Sequence, residues 1–510
     1  MSKRDLNFEA YRKSIQSLEN FKKPTAVVIF GASGDLAKKE IYPNLFWLYK
    51  DSLLPENTII IGYGRTNLDI KKYLKETIIQ KVNLDNDDLK IYDEFIEKNH
   101  YITGNYNEEP KFKELDSKIN ELMVDPNQNI QDCNRVFYLA VPPKVYPNIS
   151  EMVGKNCRAK EPFLTHLVAE KPFGKDLETS NELSKSISRY FKEEEIFRID
   201  HYLGKEMVQS LIALRFANQI FRRVWNRDSI ESVFINFKEN FGTKGRAGYF
   251  DEYGIIRDVI QNHLLQVLTL IAMEQPLSES ADDIRDEKVK VLKSIKAIKL
   301  DDVVLGQYAK NENGTPEQQK GYIDDEGVDK DSLTATYAII ILHINNERWD
   351  GVPFIISAGK ALDETISEVR IQFNQVPANI FKNYCRRNEL VIRIQPNEAV
   401  YLTMLTKRPG MDFVVEETDL DLTYAEKYKG LYVPKAYERL FMNIIYGSQI
   451  SFVRSDELTE AWRIFTPVLH EIEEKKIKPI YYQFGSNSIP EAENLIMTKG
   501  KYSFERFCRL

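Results

Sequence analysis

Residues 24–37 read PTAVVIFGASGDLA and place a short apolar run directly before a glycine turn. The apolar part, PTAVVIF, has the length and composition of a buried strand. The next residues, KKEIYPNLFWLYKD (38–51), predict a helix, and TIIIGYGR (58–65) predicts a second strand. A strand, a glycine turn, a helix and a further strand form the opening of a Rossmann-like dinucleotide-binding fold.

The glycine turn departs from the usual GxGxxG pattern, so its position is better evidence than its letters. Gly31 and Gly34 follow the buried strand and open the helix, where backbone N–H groups and the positive helix end can receive a pyrophosphate. The candidate cofactor contacts in this turn are Gly31, Ala32, Ser33, Gly34, Asp35, Leu36 and Lys38.

Arg65 ends the second predicted strand, where an NAD-selective site usually offers a carboxylate to the ribose hydroxyls. A guanidinium at this point favours a 2′-phosphate and therefore predicts NADP as the cofactor. The alternative is a surface arginine without a ligand.

The stretch RIDHYLGKE, residues 198–206, sets an acid, an imidazole and an ammonium group within six positions. If the chain is helical from Tyr202 onward, His201 and Lys205 lie on one face at spacing i, i+4. Two cations in the first turn oppose the helix dipole, so a bound anion, most naturally a phosphate, would relieve the conflict. The alternative is a solvated polar helix start with chance charges.

Two further polar clusters favour a catalytic site. Lys171, in AEKPFG, comes just after the run 163–169, which looks like a buried strand, and a lysine at a strand end is a site position in open α/β sheets. His263 lies in the apolar stretch GIIRDVIQNHLLQ together with Asp258. A histidine on an apolar helix is more often a core residue, but Asp200 is available as the carboxylate that would orient a catalytic imidazole.

The length of 510 residues predicts two or three domains with a sizeable core. With 70 basic and 77 acidic residues the formal charge is -7, so no basic surface argues for nucleic acid. The N-terminus has no apolar run for a signal peptide, and no segment is long enough to cross a membrane. We therefore expect neither nucleic acid nor membrane as a partner, and a cytoplasmic location.

The cysteines lack any CxxC pair and the six histidines lack HExxH spacing, which predicts reduced thiols and no metal site. No GxSxG elbow indicates a serine hydrolase. The tripeptide Cys508-Arg509-Leu510 loosely resembles a peroxisomal import signal, which is an alternative for the location.

The pattern changes after about residue 200, where helices give way to alternating apolar runs such as ESVFINFKEN and AVYLTMLTK. We predict an N-terminal arm (1–22), a Rossmann-like α/β domain (23–200) and an α+β domain (201–510) for substrate binding and oligomerisation, with a large, mainly antiparallel sheet. The polar segment 306–332 is predicted to be a mobile loop.

The motifs GASGDLAKK, EKPFG, RIDHYLGKE, RDVIQNHLLQ, ERWDGVPF and GKAL, which run along the chain, closely resemble the glucose-6-phosphate dehydrogenase family. The similarity extends from about residue 24 to about residue 490. It implies oxidation of the C1 hydroxyl of glucose 6-phosphate to 6-phosphoglucono-δ-lactone with NADP as acceptor, the first step of the oxidative pentose phosphate pathway. It also implies a homodimer or homotetramer built on the large sheet.

The resemblance implies a role for each candidate residue. His263 is the general base, and Asp200 holds its imidazole. The implied substrate contacts are Lys171, His201, Tyr202, Lys205, Glu239, Asp258 and Lys360. The implied cofactor contacts beyond the glycine turn are Arg65, Tyr146 and Lys171, the last lying between sugar and nicotinamide.

The sequence also departs from the family pattern. Thr365 stands where animal-type enzymes have an arginine that contacts substrate. Those enzymes bind a second, structural NADP; Arg370, Arg393 and Tyr401 fit that pattern here, but its other basic positions hold Ser357, Ile366, Thr403 and Asn487. We therefore predict weak or no binding of a second NADP.

Two competing functions remain open on the sequence. A sugar oxidoreductase of the glucose-fructose type shares a Rossmann domain, an EKP motif and a sheet domain, but lacks the HYLGK phosphate motif. A cofactor-sensing protein without catalysis would be expected to lose His263, Asp200 or Lys171, and all three are present.

Overall fold

The structure is a computed structural model that describes residues 11–15, 17–77, 84, 86–123, 132–381 and 386–504. The chain divides into two compact units. The first comprises Met1–Gly204, Ser278–Arg285 and Gly430–Leu458, and the second comprises Lys205–Leu277, Asp286–Lys429 and Thr459–Leu510.

The strands follow the apolar runs of the sequence closely. In chain order they are β1 (Thr25–Phe30), β2 (Thr58–Gly64), β3 (Asn99–Thr103), β4 (Asn134–Leu139), β5 (Thr165–Glu170), β6 (Ile196–Ile199), β7 (Ile230–Lys238), β8 (Val303–Ala309), β9 (Tyr337–His343), β10 (Pro353–Gly359), β11 (Ile366–Phe373), β12 (Glu389–Gln395), β13 (Ala399–Lys407), β14 (Val415–Thr423), β15 (Phe452–Val453) and β16 (Ile480–Gln483).

The helices are numbered in the same way. The α-helices are α1 (Glu19–Lys22), α2 (Tyr42–Lys50), α3 (Ile70–Thr77), α4 (Asn86–Glu97), α5 (Glu109–Met123), α6 (Tyr146–Asn156), α7 (Leu177–Ser188), α8 (Glu206–Phe216), α9 (Gln219–Val224), α10 (Ala247–Ile255), α11 (Leu265–Ala272), α12 (Ala281–Lys293), α13 (Tyr424–Lys427), α14 (Ala436–Tyr446), α15 (Ser455–Glu474) and α16 (Pro490–Thr498). Two segments, Ala37–Ile41 and Ile256–Leu264, are π-helical.

The first unit contains a seven-stranded sheet in the order β15-β6-β5-β4-β1-β2-β3. All neighbours are parallel except β15, which pairs antiparallel with β6. Strands β1, β4 and β5 are buried along their whole length, as expected for parallel strands covered on both faces. The strand order reverses between β1 and β4, and ligands bind at the carboxyl ends of strands at such a point. The predicted Rossmann-type fold is confirmed.

The second unit contains a nine-stranded sheet in the order β14-β13-β12-β11-β7-β10-β9-β8-β16. Its pairs are antiparallel except β7 with β10 and β8 with β16. The sheet is therefore mixed but mainly antiparallel, which confirms the predicted fold class of this part.

The two segments 278–285 and 430–458, which the sequence-based division placed in the second domain, pack with the first unit. β15 extends the edge of the parallel sheet, and α14 buries Leu440, Phe441 and Ile444 in the core beside Tyr138. An apolar helix face predicts burial but does not say which core it joins, so the sequence pattern missed this return of the chain.

The polar segment predicted to be a mobile loop, residues 306–332, is tied down at two points. Tyr322 is fully buried, and its hydroxyl donates to the Asp251 carboxylate at 2.7 Å. The hydroxyl of Ser332 donates to the same carboxylate at 2.5 Å. The first residues of the segment belong to β8 rather than to a loop.

Some predictions fall on residues outside the description. These are the tripeptide Cys508-Arg509-Leu510 and part of the N-terminal arm. Within the described ranges, no helix is both long and apolar enough to span a membrane. Cys133 and Cys157 are buried free thiols.

Candidate active site

The glycine turn lies where the order of the parallel sheet reverses. Gly31 has a φ of +81°, in the left-handed region, and its N–H donates to the Tyr63 carbonyl at 2.9 Å. A Cβ on Gly31 would lie 2.3 Å from the Ala140 oxygen, directly after β4, so no side chain fits there. The turn is closed by a 2.8 Å hydrogen bond from the Gly34 N–H to the Gly31 carbonyl.

The rest of the turn is open to a ligand. Ser33 and Asp35 are exposed, whereas Ala32 is buried beneath them. Asp35 pairs with Lys39 at 2.6 Å, and the Lys38 N–H donates to the Gly34 carbonyl at 3.0 Å. A tight backbone turn of this kind, at a strand-to-helix junction, fits the pyrophosphate of a dinucleotide.

Arg65 follows the end of β2 and is exposed. Burial raises the pKa of Tyr106, and the nearby Arg65 guanidinium and the Gly31 backbone partly offset that rise. Tyr106 therefore lies close to both predicted cofactor groups. Tyr106 was not predicted from the sequence, although its place soon after the end of β3, at the same edge of the sheet, could have indicated it.

Glu170 and Lys171 lie at the carboxyl end of β5, where the EKP motif was singled out. The Glu170 side chain is buried, and its Oε1 accepts hydrogen bonds from the hydroxyls of Tyr138 at 2.6 Å and Tyr437 at 3.1 Å. Burial raises the pKa of Glu170 to about 7, while the two tyrosine hydroxyls and the Lys171 charge oppose that rise. Lys171 is half-buried.

Tyr146, predicted as a cofactor contact, is fully buried. Its hydroxyl donates to the Glu170 carbonyl at 2.9 Å and lies 3.4 Å from the Leu139 carbonyl. The residue therefore joins the ends of β4 and β5, and its role towards the cofactor stays a prediction.

The RIDHYLGKE stretch folds differently from the prediction. β6 ends at Ile199, His201–Gly204 form a 3₁₀ turn, and Lys205 is extended, with φ −75° and ψ 141°, before α8 begins. The Asp200 side chain accepts from the Tyr202 N–H at 3.0 Å and thereby stabilises the tight turn. His201 and Lys205 are thus not at i, i+4 on one helix, and that prediction is wrong.

The His201 imidazole packs against helix α14 of the first unit. Its ring lies nearly parallel to that of Tyr437, with an interplanar angle of 10° and centroids 6.2 Å apart. In the second unit, the Lys205 ammonium donates to the Gln395 side-chain oxygen at the end of β12.

Asp258 and His263 lie on the π-helical segment Ile256–Leu264 of the second unit. They are five positions apart, which is the spacing of a π-helical hydrogen bond, so they lie on the same side of the segment. His263 is 3% exposed, and Asp258 is half-buried. A helix was predicted here, but its π geometry, which is frequent at functional sites, was not.

Glu239 and Lys360, two predicted substrate contacts far apart in sequence, form an ion pair at 2.5 Å in the second unit. The Glu239 N–H donates to the Gly359 carbonyl at 2.9 Å, directly before Lys360. The Lys360 ammonium also lies over the Phe250 ring, 5.3 Å from its centroid. The pair can donate to and accept from sugar hydroxyls.

Two positions that were compared with the family pattern, Thr365 and Arg370, have defined partners in the structure. Thr365 exchanges hydrogen bonds with Asn240, at 2.8 and 3.1 Å, and so occupies the surface next to Glu239 with a neutral group. Arg370 pairs with Glu368 at 2.6 Å and with Glu389 at 2.7 Å.

No set of three histidine, cysteine or acidic side chains within the described part of the chain is arranged to hold a metal ion.

The predicted site residues form two groups. One lies at the carboxyl ends of the parallel strands in the first unit. The other belongs to the second unit and comprises Lys205 before α8, Glu239 after β7, Lys360 after β10 and the π-helical residues Asp258 and His263.

Comparisons with known proteins give one consistent result. Family models described as "Glucose-6-phosphate dehydrogenase, NAD binding domain" and "Glucose-6-phosphate dehydrogenase, C-terminal domain" match residues 28–210 and 212–505. The glucose-6-phosphate 1-dehydrogenase of Ceratitis capitata is 55% identical over 470 residues, covering 92% of this chain and 88% of the relative. That of Caenorhabditis elegans is 52% identical over 498 residues, covering 97% and 94%.

Solved structures agree with this result. A glucose-6-phosphate dehydrogenase in complex with its substrate glucose-6-phosphate is 43% identical, with a TM-score of 0.89, covering 95% of this chain and 99% of the other. Glucose-6-phosphate 1-dehydrogenase from Mycobacterium avium is 31% identical with a TM-score of 0.79, covering 94% and 99%.

Proposed function

Since this chain belongs to the glucose-6-phosphate dehydrogenase family and oxidises glucose 6-phosphate to 6-phosphoglucono-δ-lactone, we propose that it uses NADP and that its side chains have the following roles. The observation on which the function rests is the match of both family models along almost the whole chain, together with relatives above 50% identity. These findings do not favour a sugar oxidoreductase of the glucose-fructose type. The direct test is reduction of NADP by the purified protein with glucose 6-phosphate, compared with free glucose.

The reaction removes a proton from the C1 hydroxyl and a hydride from C1. A nicotinamide cofactor, when bound, supplies the hydride acceptor. We assign proton removal to His263, because a neutral imidazole can accept a proton near pH 7. Asp200 is proposed to stabilise the charged imidazolium, and Lys171 to lie between sugar and nicotinamide.

The sugar hydroxyls are assigned to groups of the second unit. Glu239 and Lys360 form an ion pair at 2.5 Å, which offers both an acceptor and a donor. Asp258 adds a second carboxylate acceptor. Thr365 can offer only a neutral hydroxyl to the substrate.

The phosphate group of the substrate is assigned to His201, Tyr202 and Lys205. Lys205 is half-buried and extended at the start of α8, and its ammonium donates to a neutral side chain, that of Gln395.

We expect Lys205→Ala to raise the KM for glucose 6-phosphate by about 10- to 100-fold, because a hydrogen bond to a charged group contributes about 1.5–3 kcal/mol. The KM for NADP should change little. Steady-state kinetics with both substrates measure this, and Lys407→Ala, at an exposed lysine on β13, is the matched control. Loss of activity at an unchanged KM for the sugar phosphate would contradict the assignment.

The cofactor is assigned to the glycine turn and Arg65. The lack of space for a Cβ at Gly31 and the exposed guanidinium beyond β2 support a dinucleotide with a 2′-phosphate. Leu36, Lys38 and Tyr146 are proposed as further contacts.

Arg65→Ala is expected to lower kcat/KM for NADP by about tenfold or more and to change that for NAD far less, since only NADP offers a phosphate to the guanidinium. Kinetics with both cofactors measure the difference. Lys39→Ala removes a nearby cation that pairs with Asp35 instead and should spare both values. An equal loss with NADP and NAD would make Arg65 structural.

We propose that the protein forms a homodimer or homotetramer through the edge of the nine-stranded sheet. β14 is one of the two edge strands of that sheet, and its side chains Leu420 and Leu422 are 59% and 38% exposed. In the preceding turn, Met411 and Phe413 are 102% and 70% exposed. Apolar side chains on an unpaired edge strand favour pairing with another chain.

Sedimentation velocity at micromolar concentration is expected to show an oligomer, and Leu420→Asp to shift it towards the monomer. The same substitution at Leu277, which is 94% exposed elsewhere on the second unit, should leave the oligomer intact. A monomeric wild-type protein would refute the proposal.

A further inference from the structure

A buried carboxylate with no assigned function lies beside the proposed phosphate-binding turn. The Glu170 carboxylate is held by two hydroxyls from distant parts of the chain, that of Tyr138 on β4 and that of Tyr437 on α14. The pKa of each tyrosine lies well above its usual value because of burial, so both hydroxyls keep their protons and act as donors. The carboxylate therefore fixes the position of the Tyr437 ring.

Helix α14 holds the turn His201–Gly204 at three points. Tyr437 stacks on the His201 imidazole. Arg439 donates to the Gly204 carbonyl at 3.0 Å. Gly204 packs so closely that a Cβ there would lie 2.7 Å from the Ala436 carbonyl oxygen. The placement of the imidazole thus depends on a helix more than 200 positions away in sequence.

We propose that Glu170 is a positioning residue which, through the Tyr437 hydroxyl, holds the His201 imidazole in place for the phosphate of glucose 6-phosphate. This rests on the proposed phosphate-binding role of His201. The Tyr437 ring is fixed at one end by the carboxylate and presents its face to the imidazole. When the hydrogen bond weakens, the ring and the imidazole lose their common position.

The charge of Glu170 changes near neutral pH. Its raised pKa, about 7, makes it an anion above neutrality and largely a neutral acid below. A hydrogen bond from Tyr437 to the anion is stronger than one to the neutral acid. The titratable groups that face the cluster from the packed elements are Tyr138, Tyr146, Lys171, Asp200, His201, Tyr437 and Glu40.

The first test uses Glu170→Gln, which keeps the shape of the neutral acid. We expect the ratio of its KM for glucose 6-phosphate to that of wild type to be near 1 at pH 6 and to rise to about 10 at pH 8.5, the lower end of what a hydrogen bond to a charged group contributes. Taking the ratio removes the titration of the substrate itself. The KM for NADP and kcat should stay within about twofold, since the affected interaction is with phosphate. A ratio that does not change with pH would overturn the proposal.

The second test is a double-mutant cycle with Tyr437→Phe, which keeps the ring but removes its hydroxyl. Alone, it should raise the KM for glucose 6-phosphate by about tenfold at pH 8.5. In a His201→Asn background it should add little, because the imidazole that it positions is already gone. Fully additive effects would overturn the positioning role while leaving His201 as a phosphate ligand. An unchanged KM in His201→Asn alone would remove the phosphate role of His201 and the proposal with it.

Tyr432→Phe is the matched control. Tyr432 lies on the same segment, and its hydroxyl donates to another buried carboxylate, Glu438, at 2.7 Å. The KM values of Tyr432→Phe for glucose 6-phosphate should match those of wild type at every pH. A KM that rises in this variant as in Tyr437→Phe would show a general loosening of the segment and overturn the specific role of Glu170. Thermal unfolding of each variant at pH 6 and 8.5 verifies that the proteins compared are folded.

Discussion

His263→Asn is expected to leave the KM for glucose 6-phosphate within a few fold of wild type and to lower kcat by about 10²–10⁴-fold, the usual range for a lost general base. Asparagine is polar and matches the first atoms of the imidazole, so it leaves a gap of only two ring atoms at this buried position. It cannot accept the C1 hydroxyl proton, and the loss should therefore fall on turnover rather than on binding.

The control for this prediction is His470→Asn, at an exposed histidine on α15 in the same unit. It should keep wild-type kcat and KM. If His263→Asn turns over near the wild-type rate, His263 is a core histidine and the base is another group. A large rise in KM together with the fall in kcat would mean that the substitution disturbs the substrate site as a whole.

The second prediction concerns the second, structural NADP of the animal-type enzymes. We expect this protein to bind it weakly or not at all. Binding a ligand with several phosphate charges requires paired cations, and losing two of them at about 1.5–3 kcal/mol each weakens binding by about 10²–10⁴-fold. Arg370 is held between Glu368 and Glu389, which are 3% and 2% exposed, and so does not compensate.

The residues that replace the expected cations are engaged within the second unit. Ser357 is buried and donates to the Tyr337 hydroxyl at 3.2 Å. Thr403 donates to the Asp419 carboxylate at 2.7 Å. The Asn487 side-chain oxygen accepts from Lys238 at 2.6 Å. None of these three side chains offers a cation, and Asp419 adds a negative charge beside Thr403.

A tight second site would appear as thermal protection by NADP that persists when the catalytic site is weakened by Arg65→Ala, because a ligand bound only to the native state stabilises it. We expect no such protection at micromolar NADP. The same titration with NAD, which lacks the 2′-phosphate, is the control. Finding NADP beside Arg370 and Arg393 in the purified protein would refute the prediction.

The sequence predicted the strands well, because their apolar runs are short, uninterrupted and bounded by turn residues. It placed β1, the glycine turn and β2 nearly as the structure has them. These strand predictions succeeded because each rests on a local pattern. The resemblance named Glu239 and Lys360 as substrate contacts; the structure pairs their side chains, and their role towards the substrate stays a prediction.

The features that were not predicted from the sequence are those that only tertiary contacts determine. Helix propensity does not distinguish an α-helix from the π-helical segment that holds Asp258 and His263, nor does it show that Asp200 would favour a 3₁₀ turn after β6. The two hydroxyls that donate to Glu170 belong to Tyr138 on β4 and Tyr437 on α14. No sequence motif links either residue to the EKP motif. The return of residues 430–458 to the first unit is the same kind of feature.

That return has a consequence for synthesis of the chain on the ribosome. At about 5–20 residues per second, the roughly 250 residues from Gly204 to Leu458 take about 10–50 s to emerge, and until then β15 and α14 are missing from the first unit. During that interval the outer edge of β6 has no partner strand and is open to chaperones or to another nascent chain. A stop codon before residue 458 would therefore truncate the nucleotide-binding unit as well as the second one, and its product should be degraded rather than accumulate as a stable domain.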